Sequence, residues 1–99
     1  MAVNRKIEWS ISAEEQLSVF YHQLLASFGL QEAEHFLDLV QAFERVIYHY
    51  PKAFVQSKKK KNVRIGFIHK HISAIYEVKK DTLIILALID NRSHKSNVR

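Results

Sequence analysis

The sequence predicts an α+β domain in which an N-terminal strand and a two-helix antiparallel hairpin pack on one face of a mainly antiparallel, twisted sheet ending in a three-strand meander. Two observations carry this. Up to Pro51 the apolar residues recur at helical spacings of three and four, with Gly29 and Pro51 as stops. Beyond residue 62 they alternate or run together in short stretches between polar turns, which is strand patterning. A length of 99 residues suits one domain, 1–99, with one shared core.

Lys6 to Trp9 is short and β-compatible. It leads into Ser12-Ala13-Glu14-Glu15, which reads as a capping box with Ser12 as the hydroxyl N-cap. Leu17, Phe20, Tyr21, Leu24 and Phe28 then form one apolar stripe, ended by Gly29. A second helix from Gln31 to about His49 places Ala33, Phe36, Val40, Phe43, Ile47 and Tyr50 on one face. The short connection between the two makes them an antiparallel hairpin. Val63, Ile65 and Phe67 alternate with Arg64 and Gly66, as in a strand with one buried face. Turns near His69–His71 and Lys79–Thr82 then separate this strand from Ile72–Val78 and Leu83–Ile89, and Asp90 to Arg99 reads as a polar, fraying tail.

Regular alternation in the last strand sends Leu83, Ile85, Ala87 and Ile89 toward the helices and Ile84, Leu86 and Leu88 to the opposite face, where Ile75 joins them. Two helices cover only one face, so the second apolar cluster requires a cover, either a protein partner or the C-terminal tail or an irregular loop folded over it.

Charge is divided along the chain. Residues 1–51 carry three Lys or Arg against seven Asp or Glu, and residues 52–99 carry twelve against three. The basic half attracts an anionic partner, whether nucleic acid, acidic protein or anionic membrane surface. Lys58, Lys59, Lys60 and Lys61 in succession, with Lys70 further on, are candidates for phosphate or target binding by point charge. Arg64 and Arg92 fall on the face of Ile84, Leu86 and Leu88 if no bulge intervenes and strand geometry persists to residue 92, where two guanidinium groups clamp a phosphate or stabilise developing charge. The alternative is that they pair with carboxylates such as Glu77 or Asp90. His71 and His94 have a suitable ordinary pKa for general acid or base work.

Other chemistries are excluded or weak. The chain has no cysteine, so disulfides and thiolate sites are ruled out. Its two glycines, Gly29 and Gly66, do not form a phosphate loop, and no cofactor is expected. His69 and His71 make at most half a metal site, so none is assigned. No stretch has signal-peptide or membrane-spanning character, and the expected location is the cytoplasm.

The order of these features resembles the RelE/ParE family of bacterial toxins. The resemblance spans nearly the whole chain: a strand ending Ile-Glu-Trp-Ser, an Ala-Glu-Glu-Gln-Leu helix start, a second helix running to Tyr-Pro, Val63-Arg64, Ala74-Ile75-Tyr76-Glu77-Val78, Leu83-Ile84-Ile85-Leu86 and Asp90-Asn91-Arg92. It implies the toxin of a type II toxin–antitoxin pair, held in a hetero-oligomer by a cognate antitoxin that covers Ile75, Ile84, Leu86 and Leu88. RelE-like members cut messenger RNA on the ribosome, whereas ParE-like members poison DNA gyrase. On position, Arg64 matches the basic residue of the first meander strand and Arg92 the arginine after the last strand. Ser73 stands where many RelE-like nucleases have arginine, and the C-terminal region has Val98 and Arg99 but no tyrosine, leaving His71 or His94 as substitutes. The balance favours a ParE-like or undetermined target over the RelE-like ribonuclease. The remaining alternatives are a degenerate toxin and a non-catalytic nucleic-acid-binding module.

Overall fold

A computed structural model of the chain describes residues 4–93. The elements are β1 (Lys6–Trp9), α1 (Ile11–Phe28), α2 (Leu30–His49), β2 (Val55–Gln56), β3 (Val63–His69), β4 (Ile72–Val78) and β5 (Thr82–Asp90), followed by a 3-10 turn, Asn91–Ser93. The five strands form one open sheet in the order β1-β5-β4-β3-β2, antiparallel except for the β1–β5 pair. The expected α+β architecture is the one observed. The two-residue edge strand β2 carries no sequence pattern long enough to read.

Apolar periodicity in α2 is reproduced in its burial, with Ala33, Phe36, Val40, Phe43 and Ile47 all in the core. Across from them lie Ile68, Ile72, Ala74, Tyr76, Leu83, Ile85 and Leu88 of the sheet, while Leu17, Phe20, Tyr21 and Leu24 of α1 pack at the margin. Phe28 departs from the predicted stripe: as the last residue of α1, at the hairpin tip, it is exposed. Tyr50 departs too, because the helix ends at His49 and leaves it 69% exposed. Gly29 adopts φ 95° between the helices, a region that glycine enters without steric cost.

The start of α1 shows how the sheet and helices are joined. The N-cap is Ser10 rather than Ser12, and its Oγ accepts from the Ala13 amide at 3.0 Å. The same hydroxyl donates to the Leu86 carbonyl at 2.9 Å, and the Ser10 amide donates to the Ile85 carbonyl. Tertiary partners at Ser10 therefore displaced the local capping box. Ser10→Ala should destabilise the protein by about 1–2 kcal/mol in chemical denaturation, and Ser12→Ala by under about 0.5 kcal/mol.

Leu86 sits at a β-bulge. The β4–β5 register steps from Tyr76↔Ile85 to Ile75↔Ala87, leaving Leu86 unpaired across from β4. Its carbonyl is taken by Ser10, and the Leu88 amide donates to Gln16 Oε1 at 2.8 Å. One extra residue reverses the facing of everything after it. Leu88 consequently lies in the core, 1% exposed, and Ala87 and Ile89 take the opposite face.

Candidate functional site

The sheet face turned away from the helices is built by register. Val55 opposes Ile65, which opposes Ile75, which opposes Ala87; Phe67, Ser73 and Ile89 form the next row, and Val63, Glu77 and Ile84 the row on the other side. Opposed residues project from the same face. Two of these are strongly exposed, Val55 at 74% and Phe67 at 66%. Phe54, Val55, Ile65, Phe67, Ser73 and Asn91 line a shallow recess there of about 550 Å³. Asn91 Nδ2 donates to Ser73 Oγ at 3.0 Å, so the buried hydroxyl is satisfied from the 3-10 turn that follows β5.

The second apolar face expected from the sequence therefore exists, with a different membership. Ile75 and Ile84 belong to it. Leu88 does not, because the bulge turns it into the core, and Leu86 is the half-buried bulge residue itself. Ile65 and Phe67, read as the buried side of β3, belong to the open side instead. Gly66 is the signal that distinguishes the faces: a Cβ there would lie 2.7 Å from Phe54 and 2.8 Å from Phe43, so its side of β3 is the crowded one.

Arg64 shares the face of Gly66, since it pairs with Tyr76, a core residue. It is therefore not on the open face with Ile84, as regular alternation had placed it. Its Nη1 donates to the Phe54 carbonyl at 2.7 Å and reaches the Lys52 carbonyl at 3.5 Å. The Tyr76 hydroxyl donates to the Pro51 carbonyl at 2.7 Å, and burial raises that phenol's pKa. Arg64 and Tyr76 thus pin the backbone between α2 and β2.

Arg92 follows β5 in the 3-10 turn rather than extending the strand. It forms a bidentate pair with Asp90, Nε to Oδ1 at 3.1 Å and Nη2 to Oδ2 at 3.0 Å, as the carboxylate alternative had it. Together with Lys70, His69, His71 and Glu32 it lines a cavity of about 450 Å³, walled by Leu24, Phe28, Leu39 and Ile72 at the end of the helix hairpin. The structure thus brings His71, Arg92 and Lys70 together and leaves Arg64 out. His94 lies outside the described residues. Among the described residues, no group of three or more histidines or carboxylates is placed to hold a metal ion.

Electrostatics in this cavity follow from its cations. Burial, aided by the charges of Arg92 and Lys70, holds His71 below the ordinary histidine value of 6.5. Glu32 is lowered by its hydrogen bond with His69 Nε2 at 3.1 Å, and Asp90 by its bonds to Arg92. A carboxylate with a lowered folded-state pKa contributes stability above its ordinary value, and that contribution disappears as pH falls through the lowered one. Starting from ordinary values of 4.5 for Glu32 and 3.8 for Asp90, the melting temperature should fall on acidification below about pH 4.5. His71 adds loss of the same sign starting nearer pH 6.5. In Glu32→Gln the acid decline should be shallower.

The candidate lysines do not converge. Lys58 to Lys61 occupy the β2–β3 loop, where Ser57 Oγ accepts from the amides of Lys59 and Lys60, whereas Lys70 is at the far end of β3. Seven strand residues separate the two ends by about 20 Å. Lys58–Lys61 lie instead at the end of the sheet shared by Lys79 and Lys80, where the Val78 amide donates to the Asn62 carbonyl.

Among the described residues, no helix is long and apolar enough to cross a membrane. No protein-family model matches the sequence, and no curated protein matches it. Solved structures do match. A chain of the chromosomal ParDE TA system from P. aeruginosa superposes with a TM-score of 0.73 at 16% identity, covering 87% of this chain and 95% of that one. The E. coli DinJ–YafQ toxin–antitoxin complex gives 0.63 at 10% identity over 95% and 100% of the two chains. YafQ from E. coli strain BL21(DE3) gives 0.60 at 12% identity over 91% and 97%. At these identities it is the fold that is shared, nearly end to end: a helix hairpin on one face of an open, mostly antiparallel sheet. That is the fold implied by the resemblance read in the sequence.

Proposed function

We propose that this protein is the toxin of a type II toxin–antitoxin pair, that it acts in the cytoplasm, and that its target is of the ParE kind, DNA gyrase. The observation that carries the reading is the near-complete fold match to a ParDE chain, which has the highest TM-score of the three structures described. The open apolar face supports it, because Val55, Ile65, Phe67, Ile75 and Ile84 form a surface that a tightly bound antitoxin covers. The engagement of Arg64 with backbone carbonyls favours gyrase over RNA cleavage, since it withdraws one of the two arginines a nuclease reading calls on.

Expression of the protein alone should arrest bacterial growth, and co-expression with the product of an adjacent small acidic reading frame should restore it. Absence of arrest in several hosts overturns the reading. Phe67→Asp should leave arrest intact while abolishing rescue, because it puts a charge into the antitoxin surface without disturbing the core. Supercoiling assays with gyrase should register inhibition by the purified protein.

A second reading, ribosome-dependent RNA cleavage, is favoured by one observation: His71 and Arg92 share a cavity. It requires that His71→Ala and Arg92→Ala each remove toxicity.

A further inference from the structure

A second recess, away from both the open sheet face and the His71 cavity, lies where the end of α2 meets the β4–β5 turn. It measures about 610 Å³, and its lining includes Arg5, His49, Tyr50, Lys52, Lys79 and Lys80. Among the described residues that line it there is no carboxylate. Of the two acidic residues adjacent in sequence to this lining, Asp81 lines the adjoining recess with Arg5 and Lys6, and Glu77 stands in the row of Val63 and Ile84 on the open sheet face. Lys58–Lys61 approach the same end of the sheet as Lys79 and Lys80, which adds to the positive charge there.

The backbone around this recess is held from within. Arg5 donates to the Tyr48 carbonyl, Tyr76 to that of Pro51, and Arg64 to those of Lys52 and Phe54. Three side chains, Arg5 just before β1, Arg64 of β3 and Tyr76 of β4, thus fix one short segment before any ligand arrives. The segment presents Tyr50, 69% exposed, beside His49, the two ring centroids 6.4 Å apart. An exposed tyrosine next to a preordered cationic recess is otherwise a wasted apolar surface.

We infer that this recess is a binding site for single-stranded nucleic acid, with Lys52, Lys79 and Lys80 neutralising successive phosphates and Tyr50 stacking on a base. Cations following a backbone and an aromatic platform beside them are the two components of sequence-tolerant single-strand recognition. An acidic peptide would use the charges but not the ring, and the apolar surface that a peptide needs is elsewhere, on the open sheet face. Arg64 acts here as a positioning residue, through the Lys52 and Phe54 carbonyls. The inference is independent of the toxin reading, since it concerns binding by the isolated protein and not growth arrest.

The test is fluorescence anisotropy with a labelled 12-nucleotide oligouridylate, using protein made by cell-free synthesis so that toxicity selects nothing. Matched oligothymidylate and duplex DNA separate RNA, single-stranded DNA and double helix as sources of the phosphate backbone. Lys52→Ser/Lys79→Ser/Lys80→Ser should weaken binding at least tenfold in low salt and reduce the log–log salt slope by about 2, three phosphates at about 0.7 each. Tyr50→Leu should weaken it at least about fivefold with the salt slope unchanged. Arg64→Met should weaken it while leaving the slope near wild type, and Arg64→Lys should restore part of the loss. Circular dichroism verifies that each exposed-site variant is folded. The inference is overturned if the triple variant binds as wild type does, if Tyr50→Leu has no effect, if duplex binds more tightly than either single strand, or if poly-glutamate displaces the oligonucleotide at lower charge concentration than unlabelled oligouridylate does.

Discussion

Leu88→Ala should lower the melting temperature by about 10–20 °C, corresponding to about 2–5 kcal/mol for a fully buried leucine in a domain of this size. Leu88 is 1% exposed and belongs to the core cluster with Phe36, Tyr76 and Ile85. Ile84→Ala, four residues earlier and on the open face, should cost much less stability and act mainly on antitoxin binding. Simple alternation puts Leu88 and Ile84 on the same face and expects the two variants to behave alike. Thermal denaturation followed by circular dichroism distinguishes the two cases: equal, small shifts would mean that the Leu86 bulge is not there.

Gly66→Val should be nearly as disruptive, at about 3 kcal/mol or more, read as a fall in the denaturant midpoint with the slope unchanged. Even the first carbon of a side chain at residue 66 would come within 2.8 Å of two phenylalanine rings. Phe43 is locked in the core against Tyr76, and Phe54, which packs against both rings, is met at the root of its ring rather than at a free end, so relief requires both rings to shift. Gly66→Ala tests the same crowding with a smaller group and should lie between wild type and valine. The double variant Gly66→Ala/Phe54→Leu should recover part of the loss if the clash is the cause.

Much of this architecture was legible from residue spacing. The two helices are written in their periodicity, and α2 buries Ala33, Phe36, Val40, Phe43 and Ile47 as that periodicity requires. The strands from β3 to β5 follow from a period change and two polar turns, with boundaries that agree within a residue or so. The presence of a second, uncovered apolar face was legible too, because β5 has more apolar residues than one buried face can use.

The site was less legible, for reasons that concern register. Which residues occupy the open face depends on parity, and parity in β5 changes at Leu86, where Ser10 and Gln16 of the α1 start take up the backbone groups that β4 leaves unpaired. Both partners are about seventy residues distant in sequence, so no local window contains the cause. Arg64, which regular alternation put on the open face, instead serves the carbonyls of Lys52 and Phe54, 12 and 10 residues back, because β2 and its approach fold against β3. The basic recess joins Arg5, Tyr50, Lys52, Lys79 and Lys80 from three separate stretches of chain, so only the fold assembles it.

By itself, then, the sequence determined the two helices, the strands other than β2, their order, the fold class and the division of charge, because helical and strand periods and turn chemistry are local properties of the chain. Tertiary structure alone decided which apolar residues are core and which remain open, and which cations stand together. Those outcomes depend on one inserted residue in a strand pair and on hydrogen bonds between distant segments, and neither leaves a mark on local spacing.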